Sequence, residues 1–483
     1  MSRLFTRLAG RAIAGAVALL LSMQPAQAQP FDTPPPPAAP RSLGLAAPQE
    51  YTLPNGLRVV VAERRGVPLV TAQLLVLSGA EADPPALPGL AAVSAALLTR
   101  GSRTRSAPAQ AAAAEALGGT LDSSADWHRS TVQMTVTTPR LGSALALMAD
   151  AALKPAFGST ELERLRSEAL DDLGVRYASP GTQAALAAQQ AVFGSGAYGR
   201  PVSGTPASLR AIKRAHVVAL HSMHFRPDNA VLVLAGDVGL DEAVALARRH
   251  FGGWKAPARA LATSAAAAGM PAKAPLTLVD MGSAAGQASV AVALALPARG
   301  AADNPEGAVT NAVLGQGYSS RINQEIRIKR GLSYGAGSSF DTRRSGGLLL
   351  ASAQTKNESA AEVLQLMHAQ LDSLLHAPVP EDELAARKAT LIGNLSRSVE
   401  TTSGLAGQVS ALVAAGVPPD ALRGRIAALS AVDAAAVQRY ARQHFGTDQR
   451  RAVVAGDAAQ FEAALRVAVP GLAKVAPLSS AGP

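Results

Sequence analysis

The order of apolar and polar residues predicts strands and helices along most of this chain. Residues 51–62 predict a hairpin, in which a short strand and a Pro-Asn-Gly turn precede an apolar strand at Leu57–Val61. The apolar run Ala230–Leu234 predicts a buried strand, and the Gly-Asp turn after it is followed by a helix with one apolar side. Strands and helices that share each region in this way indicate an α+β fold.

A repeat with a spacing of 220 residues divides the chain into two similar parts. The pair His224-Phe225 precedes Ala235–Asp237, and the pair His444-Phe445 precedes Ala455–Asp457 at the same interval. An apolar strand separates the two landmarks in both copies. The shared offset predicts two homologous domains, each a mixed sheet with helices packed on one face.

Changes in composition predict where these domains begin and end. A proline-rich segment at residues 29–48 and a proline- and alanine-rich segment at residues 255–275 predict linkers. We therefore expect the N-terminal domain at residues 49–254 and the C-terminal domain at residues 276–475. Each is long enough to form its own core.

The first 28 residues have the three parts of an export signal. Arg3, Arg7 and Arg11 form a basic start, residues 12–21 an apolar core, and residues 26–28 an Ala-x-Ala cleavage site. The apolar core is too short to span a bilayer comfortably. We expect a periplasmic protein with a cleaved signal peptide and no stable membrane insertion; a retained N-terminal anchor is the alternative.

Charge and cysteine content exclude several classes of function. The formal net charge is +10, and removal of the signal with its three arginines lowers it to +7. Aromatic residues make up only 4% of the chain, so the stacking platforms of a nucleic-acid-binding protein are not expected. The chain has no cysteine, which excludes a thiolate zinc site, a disulfide and a cysteine nucleophile.

A cation and a phenol lie seven residues apart near a predicted helix end. Ser319 or Ser320 is expected to cap this helix, and a left-handed Gly331 is expected to end it. Its apolar side is formed by isoleucines, namely Ile322, Ile326 and Ile328. The helix then places Arg327 on its last turn, and Tyr334 begins the next strand. We expect the two polar groups to converge on one accessible surface, without a saturating internal partner, and to grip a peptide carbonyl.

The segment from Gly315 to Phe340 closely resembles the arginine–tyrosine segment of the inverted-motif zinc peptidases. This family includes pitrilysin, insulin-degrading enzyme and mitochondrial processing peptidase. The resemblance covers nearly the whole mature chain and implies two pitrilysin-like domains arranged around a cavity. It also implies that Arg327 and Tyr334 stand opposite the zinc across the substrate and assist at the scissile bond.

The zinc motif of that family has no metal-binding side chain in this sequence. The family signature is His-x-x-Glu-His, in which two imidazoles hold zinc and the Glu activates water. Flanking residues 88–91 and 97–102 resemble the family, but Ala92 and Ala96 replace the histidines and Ala95 replaces the glutamate. We expect these alanines on one long helix, facing Arg327 and Tyr334 across the cavity. Glu163 or Glu168 lies near the position of the third ligand, and one carboxylate does not make a zinc site.

Other sites are weakly supported by the sequence. Among the eight histidines only His221 and His224 have a ligand-like spacing, and His224 belongs to the repeated landmark, which favours a structural role. No Gly-x-Ser-x-Gly elbow of a serine hydrolase is present, and Gly315 and Gly317 lack the third glycine of a dinucleotide fingerprint.

These observations lead to a primary hypothesis and two alternatives. The primary hypothesis is a non-catalytic subunit of a heterodimeric zinc peptidase, which contributes Arg327 and Tyr334 in trans. The zinc is then expected in a homologous partner with an intact His-x-x-Glu-His, with no cofactor in this chain and a peptide or unfolded protein as substrate. The alternatives are a peptide-binding or scaffold pseudoenzyme and, less favoured, an independent metallopeptidase that uses an unrecognised site.

Overall fold

The computed structural model describes residues 43–261, 269–469 and 473–475. The predicted signal peptide lies outside the described residues, as do residues 29–42 of the first predicted linker and residues 262–268 of the second. The described part of the chain contains no helix with the length and apolarity that a membrane crossing requires.

Two six-stranded mixed sheets organise the fold. The first contains β1 (Gln49–Thr52), β2 (Arg58–Glu63), β3 (Leu69–Val76), β4 (Asp122–Ala125), β5 (Ser130–Thr137) and β6 (Ala230–Gly236), in the order β1-β2-β6-β3-β5-β4. The second contains β7 (Leu276–Asp280), β8 (Ala288–Leu296), β9 (Ala336–Arg343), β10 (Gly346–Thr355), β11 (Arg451–Gly456) and β12 (Ala473–Val475), in the order β12-β7-β11-β8-β10-β9. We call the parts that carry these sheets the N-terminal and C-terminal domains.

The predicted hairpin and the predicted repeat are both present. β1 pairs antiparallel with β2, and Gly56, with φ of +94°, occupies the turn between them. β6 and β11 take the same place in their sheets: each pairs parallel with one strand (β2 or β7) and antiparallel with another (β3 or β8). The landmarks Ala235–Asp237 and Ala455–Asp457 therefore have equivalent positions, which confirms two homologous domains.

Sixteen helices surround these sheets in the described part of the chain. The N-terminal domain has α1 (Leu90–Leu97), α2 (Ala107–Ala116), α3 (Leu141–Leu153), α4 (Ser159–Tyr177), α5 (Pro180–Phe193), α6 (Pro206–Ala211), α7 (Arg214–His224) and α8 (Leu240–Phe251). The C-terminal domain has α9 (Asn304–Leu314), α10 (Arg321–Asn323), α11 (Ala360–His376), α12 (Glu381–Ser398), α13 (Thr402–Ala414), α14 (Ala421–Ala431), α15 (Ala434–His444) and α16 (Glu462–Ala468).

Each domain covers the second face of the other domain's sheet with one helix. Ala184, Ala188 and Val192 of α5 pack on Ala291 and Val453 of the second sheet. In return, α13 packs along β3 and β6 of the first sheet. The sequence predicted helices on one face of each sheet; the exchanged helices bury the other face and join the two domains through apolar contacts.

A polar junction also joins the two domains at the turn between β9 and β10. The Arg344 guanidinium lies 2.7 Å from Glu81 Oε1, and Glu81 Oε2 lies 2.8 Å from His128 Nδ1. His128 Nε2 accepts a hydrogen bond from the Arg344 backbone N–H at 3.1 Å and lies 3.1 Å from the Tyr198 hydroxyl. The Arg343 guanidinium packs 4.5 Å from the Trp127 ring centroid. Opposite charges and aromatic faces from the two domains thus meet at one buried contact.

Candidate functional site

The helix that carries Arg327 begins after Ser320 and changes its hydrogen-bond pattern within one turn. Ser320 occupies the N-cap position, but its hydroxyl donates to the Gly317 carbonyl at 2.8 Å and does not cap the helix. After α10 the chain continues as a π-helical turn over Gln324–Ile328. π turns are rare and occur frequently at functional sites.

The apolar side of this segment is shorter than the sequence predicted. Ile322 and Ile326 are fully buried, whereas Ile328 is exposed. Ile328 lies two residues after Ile326, and residues two apart on a helix do not share a face, so Ile328 points away from the core. Two isoleucines therefore anchor the segment, and the residues after them project outward.

Gly331 ends the helix in the left-handed conformation, as predicted, with φ of +66°. Its N–H donates to the Arg327 carbonyl at 3.0 Å, and the N–H of Leu332 donates to the Ile326 carbonyl at 2.9 Å. The prediction that Tyr334 begins the next strand was wrong by two residues, because β9 begins at Ala336. Tyr334 thus lies in the connection, where strand pairing does not fix its side chain.

The guanidinium of Arg327 lies between two aromatic rings. Its central carbon is 5.1 Å from the ring centroid of Tyr334 and 5.4 Å from that of Tyr318. Both distances are within the range of cation–π interactions. Arg327 and Tyr334 were predicted from the sequence, whereas Tyr318 was not. Aromatic residues make up only 4% of the chain, so a tyrosine between Gly317 and two serines was an available signal.

Arg327 differs from the other cations of its segment in having no carboxylate partner. Lys329 and Arg330 both pair with Glu325, and hydrogen bonds from these two side chains lower the pKa of the Glu325 carboxyl. Within the described residues, no ion pair or hydrogen bond involves the Arg327 guanidinium. Its charge is therefore available to a ligand, as the sequence predicted.

The hydroxyl of Tyr334 is also available. The residue is 92% exposed, and its hydroxyl has no hydrogen-bond partner in the described part of the chain. Tyr318 is 63% exposed. A tyrosine retained for packing buries its ring and bonds its hydroxyl to an internal acceptor. The arrangement here is the opposite: two phenols and one cation are presented together at the surface.

A cavity of about 380 Å³ adjoins Tyr334 and receives walls from both domains. Its lining residues are Gly181, Ala184 and Ala185 of α5 and Ser289, Ala291, Tyr334, Gly335, Leu350, Ser352, Ala353 and Gln354 of the C-terminal domain. Tyr334 thus lines a cavity between the domains, as expected. Ala92 and Ala96 are not among the residues that line it, so the expectation that they face Tyr334 across it stays a prediction.

The alanines that replace the zinc motif lie on α1, a shorter helix than predicted. Ala95 is fully buried, and its carbonyl accepts a hydrogen bond from the Ser123 hydroxyl at 2.8 Å. Ala92 and Ala96 are half-buried. Methyl groups have no lone pair, so these three residues do not fit a zinc ion.

The carboxylates near the third-ligand position are held by arginines. Glu168 lies 2.9 Å from Arg100 and 3.2 Å from Arg164, and Glu163 pairs with Arg166. The described residues contain no group of three or more His, Asp or Glu side chains arranged to hold a metal ion. The described residues at these positions are thus methyl groups on α1 and carboxylates in ion pairs.

The start of α1 is held by a buried acid. Asp83 accepts hydrogen bonds from the backbone N–H groups of Gly89 and Ala91, both at 2.8 Å. Burial raises the pKa of the Asp83 carboxyl to about 7, against the effect of these two donors. These two bonds satisfy backbone donors at the start of α1, so Asp83 has a structural role.

His221 and His224 have structural surroundings. His221 Nε2 lies 2.8 Å from the Ala152 carbonyl, and its ring stacks on Phe225 at 4.5 Å. His224 Nδ1 is buried and has no partner within the described residues. Burial lowers the pKa of both rings, because it disfavours their charged forms.

Two family models match consecutive parts of the chain. The model described as insulinase (peptidase family M16) matches residues 58–205, and the model described as the peptidase M16 inactive domain matches residues 211–391. The first match contains the alanine-substituted motif, and the second contains Arg327 and Tyr334.

Curated relatives extend over most of the chain. An uncharacterised zinc protease of Mycobacterium tuberculosis is 31% identical over 358 residues, which cover 74% of this chain and 81% of the relative. An uncharacterised zinc protease of Streptomyces coelicolor is 27% identical over 372 residues, which cover 76% of this chain and 80% of the relative.

Solved structures share the fold. A peptidase M16 inactive domain from Pseudomonas fluorescens has a TM-score of 0.78 at 25% identity, and the match covers 85% of this chain and 98% of that one. A protease from Helicobacter pylori has a TM-score of 0.81 at 19% identity, which covers 85% of this chain and all of the other and shows the fold alone.

The chain has two homologous mixed α/β domains, alanines in place of the zinc motif on α1, and an Arg–Tyr pair in the second domain. This combination defines a peptidase-like protein. It belongs to the M16 peptidase family, whose members include insulinase.

Proposed function

We propose that this chain is the non-catalytic subunit of a heterodimeric zinc metallopeptidase of the periplasm. The observation that carries the proposal is an asymmetry between the two domains. The N-terminal domain has methyl groups at Ala92, Ala95 and Ala96, where the family has ligands and a base. The C-terminal domain retains the half-buried Arg327 and the exposed Tyr334, and neither head group has a polar partner among the described residues.

Tyr334 is proposed to donate a hydrogen bond to the oxyanion that develops when the peptide carbonyl is attacked. An exposed hydroxyl with no internal acceptor is free to make this bond. Donors aimed at a developing oxyanion each contribute roughly 10²–10³ in rate. The partner's metal would supply the activated water, because the residues of this chain do not fit the ion.

Arg327 is proposed to hold a backbone carbonyl beside the scissile bond. Its cation–π contacts with the rings of Tyr318 and Tyr334 favour one position of the guanidinium. A group that is fixed in this way before the peptide binds loses little entropy on binding. Arg327 therefore positions the substrate, and Tyr334 acts on the reacting carbonyl.

A second candidate function is a peptide-binding or scaffold pseudoenzyme that takes no part in chemistry. The match of residues 211–391 to the family's inactive domain favours it. In this case the same surface binds an extended segment, and the hydroxyl of Tyr334 has no effect on any rate.

Reconstitution with a partner tests the proposal. A periplasmic homologue with an intact His-x-x-Glu-His is purified alone, this chain is purified alone, and both are mixed at equal concentrations with an unstructured peptide. We expect a stoichiometric complex and peptide cleavage only in the mixture. A partner that is as active alone as in the mixture contradicts the proposal.

A further inference from the structure

The cavity beside Tyr334 exists because α5 has small residues where it passes over the second sheet. Further along α5, Ala188 and Val192 pack directly against the sheet. At its start the lining residues are Gly181, Ala184 and Ala185, which leave about 380 Å³ between helix and sheet. This volume lies in the range of pockets that hold small ligands, roughly 300–1,000 Å³.

The floor of this cavity is polar. Gln354 of β10 is the cross-strand partner of Ser289 of β8, and Ser352 is the partner of Ala291. Side chains alternate along a strand, so these residues point to the same face of the sheet, towards α5. No hydrogen bond joins Ser289, Ser352 or Gln354 to another side chain in the described part of the molecule. Two hydroxyls and one amide thus line the cavity with unused donors and acceptors.

None of the described residues that line the cavity is charged. Arg327, whose guanidinium packs on the ring of Tyr334, is not among them. A charged side chain that entered the cavity would lose its hydration without an opposite charge in the lining. A neutral side chain with donor and acceptor groups would exchange its bonds with water for bonds with the floor.

We propose that this cavity binds a neutral amide side chain, glutamine or asparagine, of the peptide whose carbonyl contacts Tyr334. This inference rests on the proposed function, which places the peptide beside Tyr334. The cavity adds a preference for one kind of side chain at that position. The ring of Tyr334 forms one wall, so a peptide that reaches the hydroxyl has an adjacent side chain at the cavity entrance. The cavity therefore selects the residue beside the scissile bond.

Peptide binding to the purified chain tests this inference without a partner. The probes are fluorescein-labelled nonapeptides of alanine and serine that differ only at the central residue, which is Gln, Leu, Glu or Lys. Binding is measured by fluorescence anisotropy. We expect the Gln peptide to bind about tenfold more tightly than the Glu and Lys peptides, an effect of the size of one or two hydrogen bonds.

Two variants locate the preference in the cavity. Ala185→Leu fills the space, and Gln354→Ala removes the amide from an exposed position where the fold does not depend on it. Both are expected to reduce the Gln preference to about twofold or less. Ala187→Leu is the matched control, because it makes the same change on the same helix at a different cavity, and it is expected to retain the preference.

Three results would overturn the inference: no saturable binding, equal affinity for all four peptides, or an unchanged Gln preference in both cavity variants. Failure of the proposed function is a separate outcome. If the chain does not stimulate a partner but prefers the Gln peptide, the subunit function is contradicted and the cavity remains a binding site. If the chain stimulates a partner but shows no preference for the Gln peptide, only the amide preference is contradicted.

Discussion

At the scale of single residues, an unpaired charge marks the candidate site. Lys329 and Arg330 share the carboxylate of Glu325, whereas Arg327 packs on the rings of Tyr318 and Tyr334 and has no ion pair within the described residues. Aromatic faces orient a guanidinium without using its hydrogen-bond donors. The donors of Arg327 therefore remain available for a carbonyl.

The half-buried His368 gives the fold a measurable dependence on pH. Burial, assisted by the neighbouring Arg450, lowers the pKa of His368 to about 4, from about 6.5 in an unfolded chain. Between these values the unfolded state binds more protons, so His368 makes the protein less stable as pH falls from 6.5 towards 4. The maximum loss is about 3 kcal/mol. Asp83, with a raised pKa, contributes the opposite slope between about pH 4 and 7.

We predict that His368→Gln removes the acid-dependent loss that is due to this residue. Urea unfolding of the native chain and the variant is compared at pH 7.5 and pH 5. Because Asp83 is present in both, the difference between the two proteins isolates His368. The variant should lose less stability between the two pH values than the native chain. Equal losses would show that His368 is protonated in the folded protein as easily as in the unfolded one.

The residue-scale features that the sequence predicted are those set by neighbours in the chain. The convergence of Arg327 and Tyr334 follows from a helix end at Gly331, which local sequence determines. The position of Tyr318 could not be predicted in this way, because it depends on how the loop before α10 folds back over the helix. The cavity beside Tyr334 depends on α5, more than 140 residues away in the sequence, so it could not be predicted either.

At the scale of elements, the π turn and the left-handed glycine determine where the site points. The backbone N–H of Lys329 donates to the Gln324 carbonyl, five residues earlier in the chain, and the helix then ends at Gly331. A single glycine in the left-handed region thus separates the helix from the connection that carries Tyr334. The sequence predicted this glycine but not the π turn, since no residue pattern distinguishes a π turn from a regular one.

We predict that Gly331→Ala lowers both stability and activity. A Cβ at this position meets no atom within 4 Å, so the cost is the backbone conformation alone, about 1–2 kcal/mol. Chemical unfolding should show this loss, and the reconstituted peptidase should be slower because Tyr334 is displaced. Gly424→Ala is the control. Gly424 lies within α14, and a Cβ there also meets no atom within 4 Å, so this variant should stabilise the chain by about 0.5–1 kcal/mol. A Gly331→Ala variant with native stability would mean that the helix end is flexible.

At the scale of the whole molecule, the two domains are joined by exchanged helices and one polar junction. α5 covers the second sheet and α13 covers the first, while Arg344 reaches Glu81 and His128 across the boundary. The repeat in the sequence predicted two equivalent domains. It could not predict the exchange, because an apolar helix face does not specify which of two similar sheets it covers.

We predict that Arg344→Ala destabilises the chain by roughly 3 kcal/mol, because it leaves the carboxylate of Glu81 without its arginine in a buried position. The Glu81 side chain is 5% exposed, so its carboxylate is poorly hydrated in the native chain and depends on its protein partners. Arg58→Ala is the matched control. It breaks the exposed pair with Glu50 and should cost less than about 1 kcal/mol. Equal effects in the two variants would contradict a stabilising role for the junction.

Tyr334→Phe in the reconstituted peptidase tests directly whether this chain takes part in the chemistry. The substitution removes one hydroxyl that contacts nothing in the described structure, so neither folding nor assembly with the partner should change. We predict that the turnover number falls about 10²–10³-fold while the affinity for peptide changes less than about threefold. A variant that cleaves peptide at the native rate would show that this chain takes no part in the chemistry and would leave the scaffold function in its place.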